Sequence, residues 1–238
     1  MTKPRILVWD FPTRVFHWLL TGGLAVCFLF ALMADEHSFW FSAHMILGIV
    51  IGVLVVMRVV WGFVGSRYAR FASFIHSPVS VMGYVQGAFT GRDERHVGHN
   101  PGSSYAIFAM LLLSGLTIVA GLMMSFGIEA GEELHAASAY TLAAVVAVHV
   151  VGVVWYSIRH RENITVSMIT GTKEGELKDA ISSSHPIVGL AFLAVAILLS
   201  IGLFQNFEPS RQQTTVPLLN LVIPLGESES SGEDDDID

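Results

Sequence analysis

One apolar segment of the chain contains the sequence HAASAYTLAAVVAVH, which runs from His135 to His149. The apolar residues around it, 136–158, reach the length of about 20 residues that a helix needs to cross a bilayer. At 3.6 residues per turn, this fourteen-residue spacing makes almost four whole turns. Both imidazoles therefore project from nearly the same face, roughly 21 Å apart along the axis. The segment predicts one membrane helix that presents two histidines at opposite depths.

The composition of the whole chain also indicates a membrane protein. Hydrophobic residues make up 53% of the sequence and charged residues 14%, which leaves too little polar surface to cover a water-soluble globule. Five apolar segments are long enough to span a membrane: residues 16–34, 44–64, 104–126, 136–158 and 186–205. Continuous apolar runs of this length favour helices over the short alternating strands of a membrane barrel. We therefore predict an all-α integral membrane protein with five spans.

The first segment has features of both a membrane span and a signal peptide. Basic residues precede it, namely Lys3, Arg5 and Arg14, as they do in a signal peptide. The apolar core of a signal peptide is short and featureless, whereas this segment carries Asp10 and His17. We therefore expect a span that is retained in the protein.

The distribution of Lys and Arg predicts the orientation, because cytoplasmic loops retain positive charge. With a cytoplasmic N-terminus, twelve of the thirteen basic residues fall inside: Lys3, Arg5, Arg14, Arg58, Arg67, Arg70, Arg92, Arg95, Arg159, Arg161, Lys173 and Lys178. The other side receives acidic residues after the first and third spans: Asp35, Glu36, Glu129, Glu132 and Glu133. We predict a cytoplasmic N-terminus and an external C-terminus.

The end of the chain differs in composition from the bundle. Its charges sum to minus seven, with Arg211 set against eight acidic residues: Glu208, Glu227, Glu229, Glu233, Asp234, Asp235, Asp236 and Asp238. The last stretch, 226–238, is almost devoid of apolar residues, and we predict that it is disordered. The connections 67–100 and 162–185 are too polar to insert into lipid and are assigned to the cytoplasm.

Four of the ten histidines fall in the apolar helices: His17, His44, His135 and His149. A lone histidine there is more often a buried ring bonded to a carbonyl, but ionisable groups in a membrane span are costly and commonly functional. These four match in depth. His17 and His149 lie toward the cytoplasm, whereas His44 and His135 lie toward the outside. The pattern predicts two sites with two imidazoles each.

Such pairs suit haem, whose axial ligands stand on opposite sides of a flat ring between facing helices. A zinc ion would need three or four ligands gathered at one point. We therefore predict two haems b, the inner one held by His17 and His149 and the outer one by His44 and His135.

Two arginines are candidate partners for the haem propionates. Arg58 stands fourteen residues after His44 and so returns to the same helix face at the depth of the inner haem. Arg14 precedes His17 by about one turn. Snorkelling of long basic side chains to the membrane interface explains both positions equally well.

The remaining histidines fall in polar segments and are predicted to be solvated: His37, His76, His96, His99, His160 and His185. The tryptophans lie near the ends of the spans and are predicted to form an interfacial aromatic belt: Trp9, Trp18, Trp40, Trp61 and Trp155. Neither set therefore adds to the predicted haem sites.

Four parts of the sequence share features with one family. They are VWDFPTRVFHW at residues 8–18, His44 with Gly48, HAASAYTLAAVVAVH at residues 135–149, and RHRENITVSMITGTK at residues 159–173. Together they cover spans one to four and resemble bacterial cytochromes b of the b561 type. Relatives of this kind include the cytochrome b subunits of nickel-iron hydrogenases and small dihaem b561 proteins, which pass electrons between the quinone pool and a redox partner.

The resemblance implies that each matching histidine is a haem ligand: His17, His44, His135 and His149. The fifth span and the acidic tail depart from the family's minimal four-span pattern, so the resemblance does not identify the redox partner. We expect three parts, namely a dihaem four-helix bundle at 1–175, a fifth transmembrane helix with its preceding cytoplasmic loop at 176–206, and a periplasmic acidic tail at 207–238.

The expected function is electron transfer in the bacterial inner membrane, between the quinone pool and a periplasmic redox protein such as a c-type cytochrome or a hydrogenase. Quinone would be a further ligand, no nucleic acid partner is expected, and an electron-transfer subunit is favoured over a stand-alone enzyme. The alternative is a self-contained quinone-linked oxidoreductase that acts on a small oxidant such as superoxide. A proton-relaying transporter is less favoured, because the five predicted spans contain no Asp or Glu.

Overall fold

The computed structural model describes residues 4–33, 35, 38–92 and 94–225. Within these residues the helices are α1 Phe11–Met33, α2 Phe39–Val64, α3 Pro78–Thr90, α4 Pro101–Ser125, α5 Ala130–His160, α6 Ile164–Thr170 and α7 Pro186–Gln205. Five of these described helices are long and apolar enough to cross a membrane: α1, α2, α4, α5 and α7. The predicted helical membrane fold is confirmed. The acidic stretch 226–238 and His37 lie outside the described residues.

Polar side chains cap the first turns of α1 and α4. The Asp10 carboxylate accepts a hydrogen bond from the Thr13 backbone N–H at 2.9 Å at the start of α1. The Asn100 side chain accepts from the Ser103 N–H at 2.8 Å at the start of α4. Each cap satisfies one of the backbone donors that the first turn of a helix leaves free. These caps explain why both helices begin several residues before the apolar segments.

The spanning helices pack as a bundle. Helix α1 packs against α2, α4 packs against α5, and α2 also contacts α4. Helix α7 packs against both α1 and α2, and Gly189 on α7 lies so close to the Phe11 ring that a Cβ there would clash. Small residues at membrane helix interfaces allow such close approach. The fifth span is thus attached to the first pair of helices.

Strand β1, Arg5–Leu7, pairs antiparallel with strand β2, Thr172–Glu174. The Tyr68 hydroxyl donates to the Asp179 carbonyl at 2.9 Å. The N-terminal segment and the two long connections therefore meet at one end of the bundle, which we call the inner end. Its placement in the cytoplasm stays a prediction.

At the opposite, outer end, strands β3, Gln213–Val216, and β4, Leu221–Pro224, form a hairpin. The buried Thr214 hydroxyl donates to the Leu203 carbonyl at 2.7 Å. The Ser42 hydroxyl at the start of α2 donates to the Gln212 side chain at 2.9 Å. The first part of the tail is thus folded against α7 and α2.

Two tryptophans correct the aromatic-belt prediction. Trp9 and Trp61 are buried, and each indole N–H has a protein acceptor. Trp9 donates to the Ser167 hydroxyl at 3.2 Å, and Trp61 donates to the Asp10 carboxylate at 3.1 Å. For these two residues the prediction was wrong, because buried partners at the inner end replace the membrane interface.

Candidate functional site

Helix α5 carries His135 and His149 on one unbroken helix. Helix α4 orients the first of them, because the Thr117 carbonyl accepts a hydrogen bond from His135 Nδ1 at 2.9 Å. A Cβ added at Gly121, one turn further along α4, would lie 3.2 Å from the same ring nitrogen. The glycine therefore leaves room for the imidazole at this position.

His44 is oriented in the same way by α1. Its Nδ1 lies 2.8 Å from the Cys27 carbonyl oxygen. A carbonyl only accepts hydrogen bonds, so Nδ1 carries the proton and Nε2 keeps its lone pair. His135 has the same arrangement with Thr117. A backbone carbonyl that holds one ring nitrogen is the usual support of a metal-ligating histidine.

The structure brings His44 and His135 together. Their ring centroids lie 6.0 Å apart, and the ring planes are inclined by 72°. A bond between a metal ion and an imidazole nitrogen is about 2 Å long, as for zinc. The centre of the ring lies about 1 Å beyond that nitrogen. Two imidazoles that share one metal ion therefore have ring centres about 6 Å apart. The separation and the Nε2 lone pairs suit a pair of imidazoles that would together hold one haem iron.

The inner pair, His17 on α1 and His149 on α5, lies close enough for a charge on one ring to act on the other. His17 Nδ1 is buried and has no hydrogen-bond partner among the described residues. A buried polar atom without a partner is costly and calls for an explanation. A metal ion is one partner that would supply it, so this site also fits the group that the sequence predicts.

Space for a flat cofactor occurs beside the outer pair. A Cβ added at Gly48, one turn after His44, would meet no atom within 4 Å, whereas a Cβ at Gly52 would lie 3.1 Å from Ile118. Helix α2 therefore leaves a gap at the turn next to the histidine and closes against α4 one turn later.

Protein side chains alone do not form a metal site in the described part of the chain. No group of three or more His, Cys, Asp or Glu side chains there could hold an ion. Ligation by two imidazoles requires a cofactor that supplies the remaining ligands, as the porphyrin of haem does.

Arg58 is buried, with 3% of its surface exposed. Its Nη2 donates to the Ala69 carbonyl at 3.2 Å, and its guanidinium lies over the rings of Phe16 and Phe71. Nη1 is buried and has no hydrogen-bond partner among the described residues. Burial of a charge is costly unless a group of opposite charge lies beside it. The free donor on the buried Arg58 guanidinium therefore fits the predicted propionate contact.

Arg14 is less buried than Arg58. Its Nη1 donates to the Ile169 carbonyl at 2.7 Å, and its guanidinium lies against Gly171. Its Nε is buried and has no partner among the described residues. Only part of this guanidinium is therefore available to a propionate.

His99 is a half-buried residue at the inner end whose surroundings the sequence did not predict. Its ring packs against Trp9 and Phe74, with centroid distances of 4.7 and 4.4 Å. Burial, with the positive charges of Arg58 and Lys173, lowers the pKa of His99 to about 3. The ring is therefore neutral at pH 7. Its place directly before the Asn100 cap was the available signal, because the residue before a helix cap often packs inward.

The prediction that the other histidines are solvated was wrong for those that the structure describes. His76, His96, His99, His160 and His185 are all half-buried. His185, for example, packs edge-on against Trp61 with ring centroids 5.4 Å apart. The polar connections fold over the inner ends of the helices and so remove these rings from water.

Comparisons with known proteins agree with this geometry. The sequence model of the family described as prokaryotic cytochrome b561 matches residues 8–171. The chain is 28% identical over 137 residues to a probable Ni/Fe-hydrogenase 1 B-type cytochrome subunit of Escherichia coli, covering 48% of this chain and 57% of that protein. It is 26% identical over 217 residues to a probable Ni/Fe-hydrogenase B-type cytochrome subunit of Bradyrhizobium diazoefficiens, covering 72% of this chain and 87% of that protein.

The chain thus spans little more than half the length of the Escherichia coli relative. No solved structure matches it. The family match covers more than half of the chain and includes all four histidines of the two pairs. The chain therefore belongs to the prokaryotic cytochrome b561 family, and it is a helical membrane protein that binds haem b.

Proposed function

We propose that the chain holds two haems b and transfers electrons across the bilayer. The observation that carries this proposal is the outer pair, His44 and His135, whose rings stand 6.0 Å apart with each Nδ1 bonded to a carbonyl. His17 and His149 would hold the second haem. Haem iron with two imidazole ligands supplies a one-electron couple without an open coordination position.

The protein's own contribution is position and electrostatics. Helix α5 is continuous from Ala130 to His160, so it sets the two ligand positions roughly 21 Å apart along the axis. Arg58 places a buried positive charge over the ring of Phe16, the residue before His17. A nearby cation favours the reduced form of the iron, which carries less positive charge, so we expect it to raise the midpoint potential of the inner haem.

The proposed partners follow from the membrane location and from the relatives. Quinone is the lipid-soluble electron carrier that such a cytochrome would meet within the bilayer. The two relatives are named as B-type cytochrome subunits of Ni/Fe hydrogenases, which supports a similar role for this chain as the membrane subunit of a periplasmic redox protein. The partner would be a hydrogenase or a c-type cytochrome at the outer end.

The proposed orientation places the inner end in the cytoplasm. The basic residues of the described connections support it, because cytoplasmic loops retain Lys and Arg. The outer pair of histidines would then face the periplasm, which is where a hydrogenase or a c-type cytochrome would dock.

The test of the main proposal is a haem assay and a redox titration of the purified protein. We expect two haems b per chain, both low-spin, with two separate midpoint potentials. A content of one haem per chain would refute the dihaem proposal, and a high-spin haem would refute ligation by two imidazoles at that site.

The acidic tail offers a test of the partner. Residues 226–238 carry seven acidic side chains and no basic residue. Long-range attraction of a basic partner raises encounter rates by about 10 to 1000-fold at low salt. The full chain and a chain truncated after Leu225 would be compared in electron transfer to candidate c-type cytochromes across an ionic-strength series. We expect the truncated chain to be slower at low salt, with the difference vanishing as salt rises. Equal rates with equal salt dependence would show that the tail does not recruit the partner.

A further inference from the structure

Helix α3 lies in the connection between α2 and α4 and contributes no residue to the paired histidines. Its start is tied to the first turn of α4, because the Tyr105 hydroxyl donates to the His76 carbonyl at 3.2 Å. Its middle also contacts α4, since a Cβ added at Gly102 would lie 3.1 Å from the Tyr84 ring. The first half of α3 therefore crosses the beginning of α4.

The other end of α3 reaches α5. A Cβ added at Gly91, directly after the last turn of α3, would lie 2.7 Å from the Arg159 guanidinium near the end of α5. Helix α4 begins and α5 ends at the inner end of the bundle. The thirteen residues of α3, about 20 Å in length, thus run across the inner ends of two membrane helices. A helix in this position lies along the membrane surface.

The side chains of α3 divide into three sides, each with the i, i+3, i+7 spacing of one helix face. The least exposed side consists of Val81, Tyr84 and Ala88, and it includes the contact with α4. A second, exposed side consists of Gly83, Gln86 and Thr90. The third side is exposed and apolar, and it consists of Met82, Val85 and Phe89. One side therefore faces the protein, the second is exposed and mostly polar, and the third is exposed and apolar.

The apolar side is large. Met82 is 64% exposed, Val85 is 42% exposed and Phe89 is 82% exposed. The lipid-facing surface of the bundle continues up to α3, since Tyr105 on the first turn of α4 is itself exposed and contacts the start of the helix.

We propose that α3 is an interfacial membrane helix and that phospholipid covers its apolar side. In this arrangement Met82, Val85 and Phe89 enter the boundary between headgroups and acyl chains, while Gln86 and Thr90 face water, as amphipathic interfacial helices do. The contacts with α4 and α5 then hold the inner ends of both helices at the membrane surface. The proposal needs only the membrane location and is independent of the electron-transfer role.

The test places the photoreactive amino acid benzoylphenylalanine at single positions of the full chain. Met82 and Phe89 sample the apolar side, Gln86 and Thr90 are the matched controls on the same helix, and Leu198 on α7 is the positive control. All five positions are exposed, so the probe displaces no core side chain. Each protein is assembled into nanodiscs of phosphatidylethanolamine and phosphatidylglycerol, irradiated and analysed by mass spectrometry.

We expect phospholipid adducts at Met82 and Phe89 in yields close to that at Leu198 and several-fold above those at Gln86 and Thr90. Two results would overturn the proposal. Equal lipid yields on both sides of α3 would show that the apolar side is not embedded. Adducts with a second copy of the chain at Met82 and Phe89 would show that protein covers this surface.

Discussion

The pairing of the histidines makes a prediction about which haem each ligand holds. Replacement of His17 or His149 by alanine should remove the inner haem and leave the outer one in place. Replacement of His44 or His135 should remove the outer haem and leave the inner one. In each variant the haem content should fall from two per chain to one, and the lost spectral component should be the same for both members of a pair.

The separation along α5 limits how far one loss disturbs the remaining site. At roughly 21 Å and an effective dielectric constant of about 20, two unit charges interact by about 0.8 kcal/mol. For a one-electron couple this is about 35 mV, since a tenfold change in an equilibrium constant corresponds to 59 mV. The potential of the surviving haem should therefore move by no more than a few tens of millivolts.

The assay is a potentiometric titration followed by absorption, with low-temperature magnetic resonance to resolve the two low-spin signals. His96→Ala is the matched control, because this imidazole lies in the inner connection and bonds the Glu94 carbonyl. It should retain both haems. If His17→Ala and His135→Ala abolished the same signal, pairing by depth would be refuted, and loss of both haems in every ligand variant would refute independent sites.

Three further predictions follow from individual contacts. Arg58→Gln should lower the midpoint potential of the inner haem by several tens of millivolts. Arg14→Gln should lower it less, because Arg14 is more exposed. A redox titration in which Arg58→Gln leaves the potential unchanged would exclude this role for Arg58. Thr214→Val removes the donor to the Leu203 carbonyl and should cost about 1 kcal/mol, measured as a lower thermal midpoint. The pKa of His99 is lowered to about 3 in the folded state, so stability should fall as pH drops from about 6.5 toward 3. Thermal melts across this range should show a weaker dependence in His99→Phe, and an equal dependence would contradict the assignment.

The membrane helices could be predicted from the sequence because the solvent imposes a length. A helix needs about 20 apolar residues to satisfy its backbone while crossing lipid, and the chain has five such segments. The relation between His135 and His149 was predictable for the same reason, since a continuous helix converts sequence spacing directly into direction. The pairing of His44 with His135 was predicted only from their depths, which follow from the alternating directions of the spans. The structure agrees with this pairing.

The inner connections could not be predicted in the same way. Their composition is polar, which indicates only that they do not cross the membrane. The structure folds them over the helix ends, where Trp9, Phe74 and Trp61 enclose imidazoles that the sequence assigned to water. Burial there depends on contacts between segments about 25 to 160 residues apart, such as Trp9 with Ser167, and no local pattern encodes them. Helix α3 differs from the rest of these connections because it has a local signal in the sequence. This signal consists of the cap residue Ser77 and the helical spacing of the apolar residues that follow it.

The boundaries of the family match have a structural explanation. The match runs from residue 8 to residue 171, and these two positions touch: the Gly171 carbonyl accepts hydrogen bonds from the N–H groups of Val8 at 2.8 Å and Trp9 at 3.0 Å. Gly171 has a φ of 82°, a conformation that favours glycine, and a Cβ there would approach the Trp9 carbonyl to 2.8 Å. The matched part thus closes on itself at the inner end.

The fifth spanning helix, α7, and the hairpin that follows it lie outside the matched part of the chain. Helix α7 packs on α1 and α2, and Gln212, the residue before the hairpin, accepts a hydrogen bond from Ser42, two residues before His44. The addition therefore changes the surface next to the outer pair of histidines while leaving the inner closure intact. If relatives of this family differ in their periplasmic partners, the residues that distinguish this chain should lie in α7 and the hairpin. An exchange of residues 186–225 between this chain and a relative should then transfer the preference for a partner without altering the haem content. A chimera that keeps its original preference would instead place partner recognition within residues 8–171.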